Sequence, residues 1–353
     1  MKIWKLGFLA IAAAALVAGC SSSNTGSDSG STSEPGKPAG DKKMTIGIVF
    51  DSGGRGDKSF NDSAWAGIER ATKEFGIEAK PIESKNEKDY ATNQTALAEQ
   101  GVDLVIAVGL NQAEALKEVA KQFKDQKFAI VDGSVESANV RCLKFKEEEG
   151  SFLVGYLAGL TSKTGKVGFV GGMKIPLIEK FEAGYAAGAK MANPNIEILP
   201  AKYTDNWDDS SKGKASAEIL FGQGADIIFH AAGRAGLGVI NAAKEKGMFA
   251  IGVDSNQDDL APGNVLTSMI KRVDEAVYST IKDVKEGKFA SGDKIYDLSV
   301  NGVGISDMAH TKDKVPADAM AKIEDVRKKI IAGEIKVPSN LADYATFLES
   351  LKK

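Results

Sequence analysis

Three apolar runs of this chain end in the same residue type: Ile48-Val49-Phe50-Asp51, Ala129-Ile130-Val131-Asp132 and Ile251-Gly252-Val253-Asp254. A single aspartate after a strand commonly caps a helix or forms a turn by accepting nearby backbone N–H groups. Three of them, ending similar runs, would face one crevice if the strands are parallel. There they could accept hydrogen bonds in pairs, which suits the vicinal hydroxyls of a sugar and the N–H groups of a nucleobase. Other runs end in Asp205 to Asp208, in Gly233 and in Lys271. Two large aromatic residues stand in polar loops, Phe60 in Lys58-Ser59-Phe60-Asn61 and Trp207 in Asp205-Asn206-Trp207-Asp208-Asp209. Each could cover the core beneath it. Taken together, one from each half of the chain, they could hold a flat ring between them.

The chemistry these residues do not offer is also informative. Asp51-Ser52-Gly53-Gly54-Arg55-Gly56-Asp57-Lys58-Ser59 follows a strand, is rich in glycine and ends in Lys-Ser. A phosphate loop needs glycine directly before the lysine, and Asp57 stands there with a negative charge. Gly54 and Gly56 are too short a pattern for a dinucleotide fingerprint. Arg55-Gly56-Asp57 spells an adhesion tripeptide, a match of only three residues. His230 and His310 are the only histidines, and no hydrolase or zinc-protease motif occurs. His230 either touches a ligand or lies buried and neutral. The Asp205 to Asp209 cluster lacks the glycine and terminal glutamate of a calcium loop, so a solvated loop with one member reaching the cleft is expected. No catalytic residues, metal or cofactor are predicted.

The elements that must position these residues follow from periodicity. From Met44 onward, short runs rich in Val, Ile and Phe alternate with helical spacing. The expected strands are 45–50, 79–83, 104–108, 128–131, 140–145, 167–170, 198–203, 227–230, 250–253, 265–269 and 295–300, with a first helix over about 62–75. Near-continuous apolar strands separated by helices predict an α/β fold with parallel sheets covered on both faces. About five strands before Glu147 and four after it predict two doubly wound lobes, with ligand bound at the carboxyl ends of the strands. The expected limits are 44–141 plus 265–290 for the first lobe and 142–264 plus 291–353 for the second.

The chain begins with Lys2 and Lys5, an apolar run from Leu6 to Val17, and Ala18-Gly19 before Cys20. This is the pattern of a signal peptide over residues 1–19. Its apolar run is shorter than the roughly 20 residues needed to span a bilayer. Leu16-Val17-Ala18-Gly19-Cys20 resembles a bacterial lipobox, in which the cysteine is acylated and becomes the first mature residue. Lipid on Cys20 would then hold the protein to a membrane on the extracytoplasmic face. Residues 20–43 are dominated by Ser, Gly, Asp, Pro, Thr and Lys and read as a tether. Cys142 would be the sole remaining cysteine, an inert strand residue that excludes a disulfide within the chain. Without Lys2 and Lys5, 43 basic residues face 48 acidic ones, and no basic patch argues for nucleic acid.

Several motifs resemble a known family. Gly56-Asp57-Lys58-Ser59-Phe60-Asn61, Lys146-Glu147-Glu148-Glu149-Gly150-Ser151-Phe152-Leu153, Gly171-Gly172-Met173-Lys174-Ile175-Pro176 and Phe181-Glu182-Ala183-Gly184 are similar to those of the basic membrane protein lipoproteins, which include purine nucleoside receptors. The resemblance runs from about Met44 to Pro338. It implies a type I periplasmic-binding-protein-like fold, two lobes joined by a three-strand hinge, serving an ABC importer and its permease subunits. It also implies a nucleoside ligand, purine nucleosides favoured. Carried over residue by residue, it places the base between Phe60 and Trp207, with Asp51 and Asn61 at its polar edge. Asp132, Gly233, Asp254 and Lys271 would then surround the ribose. Trp207, His230 and Arg234 depart from the family's common Phe, Gln and Gly. Rival expectations are a pentose or hexose receptor of the same fold, an exported nucleoside hydrolase and a surface adhesin.

Overall fold

Strands and helices alternate along residues 43–351, the range described by a computed structural model of the protein. The expected signal peptide, Cys20 and nearly all of the tether lie outside the described residues. The first half runs β1 (Thr45–Phe50), α1 (Phe60–Phe75), β2 (Glu78–Glu83), α2 (Tyr90–Glu99), β3 (Leu104–Val108), α3 (Ala113–Gln122), β4 (Phe128–Val131) and β5 (Val140–Phe145). The second begins with α4 (Glu147–Thr161), β6 (Lys166–Gly171), α5 (Pro176–Ala192), β7 (Glu197–Ile198) and β8 (Lys202–Tyr203). It continues through α6 (Ser210–Gly222), β9 (Ile227–Ala231), α7 (Gly236–Lys246), β10 (Phe249–Asp254) and β11 (Val265–Lys271). The chain then returns to the first lobe with α8 (Val273–Lys285) and β12 (Gly292–Tyr296), and ends on the second with β13 (Val303–Ile305), α9 (Ala319–Ile331) and α10 (Leu341–Ser350).

Two sheets result. The first has the order β12-β5-β4-β3-β1-β2 and is parallel throughout. The second has the order β13-β11-β10-β9-β6-β7, with β8 also on β6, and only β13 runs antiparallel. Every residue of β3, β4 and β9 is buried, as strands covered by helices on both faces must be. The chain passes between the sheets at Lys146, at Arg272 and through residues 297–302, which gives the three connections expected of this fold.

Strand pairing corrects the expected lobe limits. β11, assigned above to the first lobe, pairs with β10 and β13 in the second sheet. β5 and β12, most of which had been assigned to the second lobe, pair with each other in the first. Apolar runs show that a strand is buried but not which sheet it joins, and all three misplaced boundaries fall one strand short of a crossover. Two expected strands also shorten. The stretch 198–203 divides into β7 and β8 around Pro200, which has no N–H to give a ladder. β12 stops at Tyr296 because the Asp297 carboxylate accepts the N–H groups of Ser299 and Val300, at 2.9 and 3.2 Å, and turns the chain.

One helix contact matters for the site. α4 and α5 carry glycines in their interiors, each of which costs about 1 kcal/mol relative to alanine. A Cβ on Gly155 would run into the Tyr185 carbonyl, and one on Gly188 into that of Phe152. The backbones therefore touch. This close approach sets the first turns of both helices, with Glu147, Lys180 and Phe181, side by side beneath the cleft.

Candidate functional site

A cavity lies between the two sheets at the carboxyl ends of their strands. Its wall brings together all eight residues singled out in the sequence: Asp51, Phe60, Asn61 and Asp132 from the first lobe, and Trp207, Gly233, Asp254 and Lys271 from the second.

At one end, β1 delivers Asp51 and the loop that follows delivers Asp57 and Asn61. Asp51 Oδ1 accepts the Gly53 N–H and one Asn61 Nδ2 hydrogen, both at 2.9 Å. Burial pushes the Asp51 carboxyl up to about 6, against the pull of those two hydrogen bonds. Asp57 is only 2% exposed and accepts the backbone N–H groups of Ser59, Asn61 and Asp62 at 2.9 to 3.1 Å. Asp62 accepts those of Gly56 and Lys58 at 2.6 and 3.0 Å. The N–H groups that would cradle a phosphate are thus spent on the loop's own carboxylates, and the Lys58 side chain is 61% exposed. The adhesion tripeptide is equally closed off, because Asp57 is buried and Arg55 pairs with Glu83 at 2.5 Å while lying over the Trp65 ring.

At the other end, Asp132, Gly233 and Asp254 all have positive φ (65°, 55° and 63°). For the two aspartates this left-handed backbone is costly, a kind of strain that clusters at ligand sites. Lys271, at the end of β11 and 2% exposed, reaches Asp132 at 2.6 Å and Glu147 at 3.0 Å. Its ammonium also lies 4.9 to 5.7 Å from the ring centroids of Phe60, Phe145 and Phe181. Burial alone would lower the lysine's pKa, but Asp132, Glu147 and Asp254 raise it above the ordinary value, so it stays charged. Glu147 also pairs with Lys180 at 2.9 Å, so two cations serve the group and Lys271 reaches only two of its three carboxylates directly. Asp254, which makes no direct pair with it and bonds Ser59 Oγ across the cleft, is raised by burial to about 7. Asp132 keeps Oδ1 buried and without a hydrogen-bond partner.

The two rings enter from opposite lobes. Phe60 opens α1 and is half-buried. Trp207 lies flat over Gly172, where any Cβ would strike its ring, and its carbonyl accepts the Ala235 N–H at 3.0 Å. Of the cluster from Asp205 to Asp209, Trp207 is the residue that lines the cavity.

His230 does not line it. The imidazole is fully buried, and desolvation lowers its pKa to about 4, so it is neutral. Its Nε2 lies 3.1 Å from Gln257 Oε1, and Gln257 Nε2 donates across the cleft to the Lys58 carbonyl at 2.9 Å. Arg234 makes a similar clasp, its Nη2 donating to the carbonyls of Gly53 and Arg55 at 2.9 and 3.0 Å. The lobes are closed on the loop that carries Asp57.

Sequence reasoning did not select Gly109, Leu110 and Asn111, which line the cavity after β3. The rule of reading each strand end would have found them. It also passed over Leu177, Ile178 and Phe181 on α5, which precede no strand and carry no local signal. No group of three or more His, Cys, Asp or Glu suited to a metal occurs among the described residues.

Comparison with known proteins identifies the family and agrees with the fold. The chain is 40% identical over 335 residues to the CD4+ T-cell-stimulating antigen of Listeria innocua, covering 88% of this chain and 93% of that protein. It is 33% identical to the ABC transporter nucleoside-binding protein BmpA of Lactococcus lactis, covering 96% and 99%. A solute-binding protein of an ABC transporter system from Aeropyrum pernix superposes with a TM-score of 0.79 at 32% identity, covering 88% and 97%. Residues 44–341 match the family described as ABC transporter substrate-binding protein PnrA-like, and the chain belongs to that family of binding proteins, which are not enzymes.

Proposed function

We propose that the protein is a lipid-anchored receptor that captures nucleosides, with purine nucleosides favoured, for an ABC importer. The observation that carries this reading is one closed cavity lined by two rings from opposite lobes and by carboxylates at both ends. A base stacks between Phe60 and Trp207, at the roughly 1 to 3 kcal/mol typical of aromatic stacking on a base. Asp51 and Asn61 meet its polar edge. Asp132, Gly233, Asp254 and Lys271 surround the ribose, where a charged carboxylate accepts the hydroxyls. Nucleoside binding, for which the Lactococcus relative is named, supports the same ligand class. Acylated Cys20 tethers the folded part to the outer face of the membrane, and no described helix is long and apolar enough to cross it.

Mass spectrometry of the full chain purified from membranes tests both parts at once. Denaturation should release a nucleoside, and the mature N-terminus should carry acyl chains on Cys20. Release of a free pentose or hexose instead would move the protein to the sugar receptors. An N-terminus starting elsewhere, or Cys20 without lipid, would end the anchor.

A further inference from the structure

We infer that Asp57 sets the hydrogen-bond polarity of the cavity's first end, so that it selects rings offering adjacent N–H donors, such as 6-oxopurine nucleosides, over rings offering a nitrogen acceptor. The inference rests on the nucleoside reading above and concerns which base that site takes.

An asparagine amide can be turned end for end at almost no change in shape, so its neighbours decide which face it shows. Asn61 Nδ2 lies 2.9 Å from Asp51 Oδ1 and 3.1 Å from Asp57 Oδ2. Both are acceptors, and together they consume both amide hydrogens. Turning the amide would press its oxygen against two carboxylates. Asp57 cannot yield, because three backbone N–H groups at the start of a 16-residue helix hold its oxygens in place. Asn61 is 2% exposed, lines the cavity and keeps Oδ1 buried without a hydrogen-bond partner.

The neighbouring groups have the same sign. Asp51 spends Oδ1 on Gly53 and Asn61, and no hydrogen bond to its Oδ2 occurs among the described residues. Asn111, which lines the cavity beside them, gives its amide nitrogen to Glu87 at 2.8 Å. Asp51, Asn61 and Asn111 therefore present oxygen acceptors, and the donor at this end is Arg234, whose Nη2 is spent on the Gly53 and Arg55 carbonyls and whose buried Nε has no partner among the described residues. Guanine and hypoxanthine bring an N1–H to such an edge, and guanine adds the N2 amino group beside it, a paired arrangement that a carboxylate accepts well. Adenine brings the N1 lone pair, which faces oxygen and leaves a buried polar group unpaired.

The test is calorimetry with guanosine, inosine, 1-methylinosine and adenosine on the parent and on Asp57→Asn. Guanosine should bind the parent at least about tenfold more tightly than adenosine, and 1-methylinosine at least about tenfold more weakly than inosine, the penalty for an unmatched buried polar group. Asp57→Asn replaces one of the two carboxylates that hold the Asn61 amide with a group that can donate to Asn61 Oδ1, which leaves Asp51 alone against reversal of the amide. The ratio of guanosine to adenosine affinity should then fall to within about threefold, a change that simple loss of helix capping would not produce. Asn61→Ala, which removes the acceptor itself, should narrow the ratio in the same direction and serves if Asp57→Asn does not fold. Equal binding of guanosine and adenosine by the parent, or an unchanged ratio in both variants, would overturn this inference and leave the nucleoside reading standing. If no nucleoside binds, the nucleoside reading fails and this inference with it.

Discussion

The two ends of the cavity are both built from buried aspartates, yet they solve the problem of charge differently. At the second end, Lys271 sits among Asp132, Glu147 and Asp254 and holds two of them by direct ion pairs. At the first end, Asp51 and Asp57 have no lysine or arginine paired with them among the described residues and lean on N–H groups. Burial raises carboxyls at both ends, Asp51 and Asp132 to about 6 and Asp254 to about 7, so the cation at the second end offsets burial only in part, while at the first end the N–H groups alone oppose it. The second end is thus assembled before any ligand arrives. The first waits for donors that the ligand must bring.

The largest effect should come from breaking that difference directly. Lys271→Met removes this cation and leaves Asp132 buried and unpaired, while Glu147 keeps its pair with Lys180 at 2.9 Å. Loss of one partner from a buried pair costs about 3 to 5 kcal/mol, so urea denaturation should show a large fall in stability. Asp51→Asn removes a buried carboxylate that has no cation to lose. Its ligand-free stability should stay level or rise while nucleoside binding weakens. Similar losses in both variants would mean that the two ends do not differ in this way.

Much of this was legible in the sequence because three of the four lining aspartates end an apolar run, and parallel strands put such ends in one crevice. Asp51, Asp132 and Asp254 needed no more than that. Asn61 and Lys271 took their roles from the family resemblance, since an amide two turns of loop after a strand has no signature of its own. Glu147 was visible only as part of an acidic triplet. Its task of holding Lys271 depends on α4 starting beneath the cleft, which is set by glycine contacts with α5 far along the helix. The lobe limits failed for a related reason, because periodicity reports burial and not partners.

An intermediate effect separates ribose from base. Asp254→Asn removes a charged acceptor at the second end and should weaken ribonucleosides by about 1.5 to 3 kcal/mol, or roughly 10- to 150-fold. The preference for inosine over 2′-deoxyinosine should shrink with it. Trp207→Ala should weaken both by about 1 to 3 kcal/mol and keep that preference. Calorimetry with the two nucleosides on the three proteins distinguishes the roles. A ribose preference that survives in Asp254→Asn would remove the sugar from that end.

The smallest effect is a pH dependence, and it sharpens the comparison because both ends contribute. Burial raises Asp51 to about 6 and Asp254 to about 7, above the roughly 3.9 of an unfolded aspartate. Asp51 is faced by Asp57 and Asp208 and by the Asn61 amide. Asp254 is faced by Lys271, by Ser59 and by Asp57 and Asp132. Between about pH 4 and 7 the folded protein therefore binds more protons than the unfolded chain, and its ligand-free stability declines as pH rises through that window. A ligand that donates to Asp51 and Asp254 favours their ionised forms and pulls both pKa values down. Binding then releases protons in the same window, so affinity grows as the pH rises. Thermal melts at pH 5 and pH 8 with saturating inosine should show a larger gain in Tm at pH 8, and Asp254→Asn should narrow the gap by removing the group with the higher pKa. An equal or larger gain at pH 5 would show that the ligand binds the protonated carboxyls, and the donor and acceptor assignment at both ends would have to be reversed.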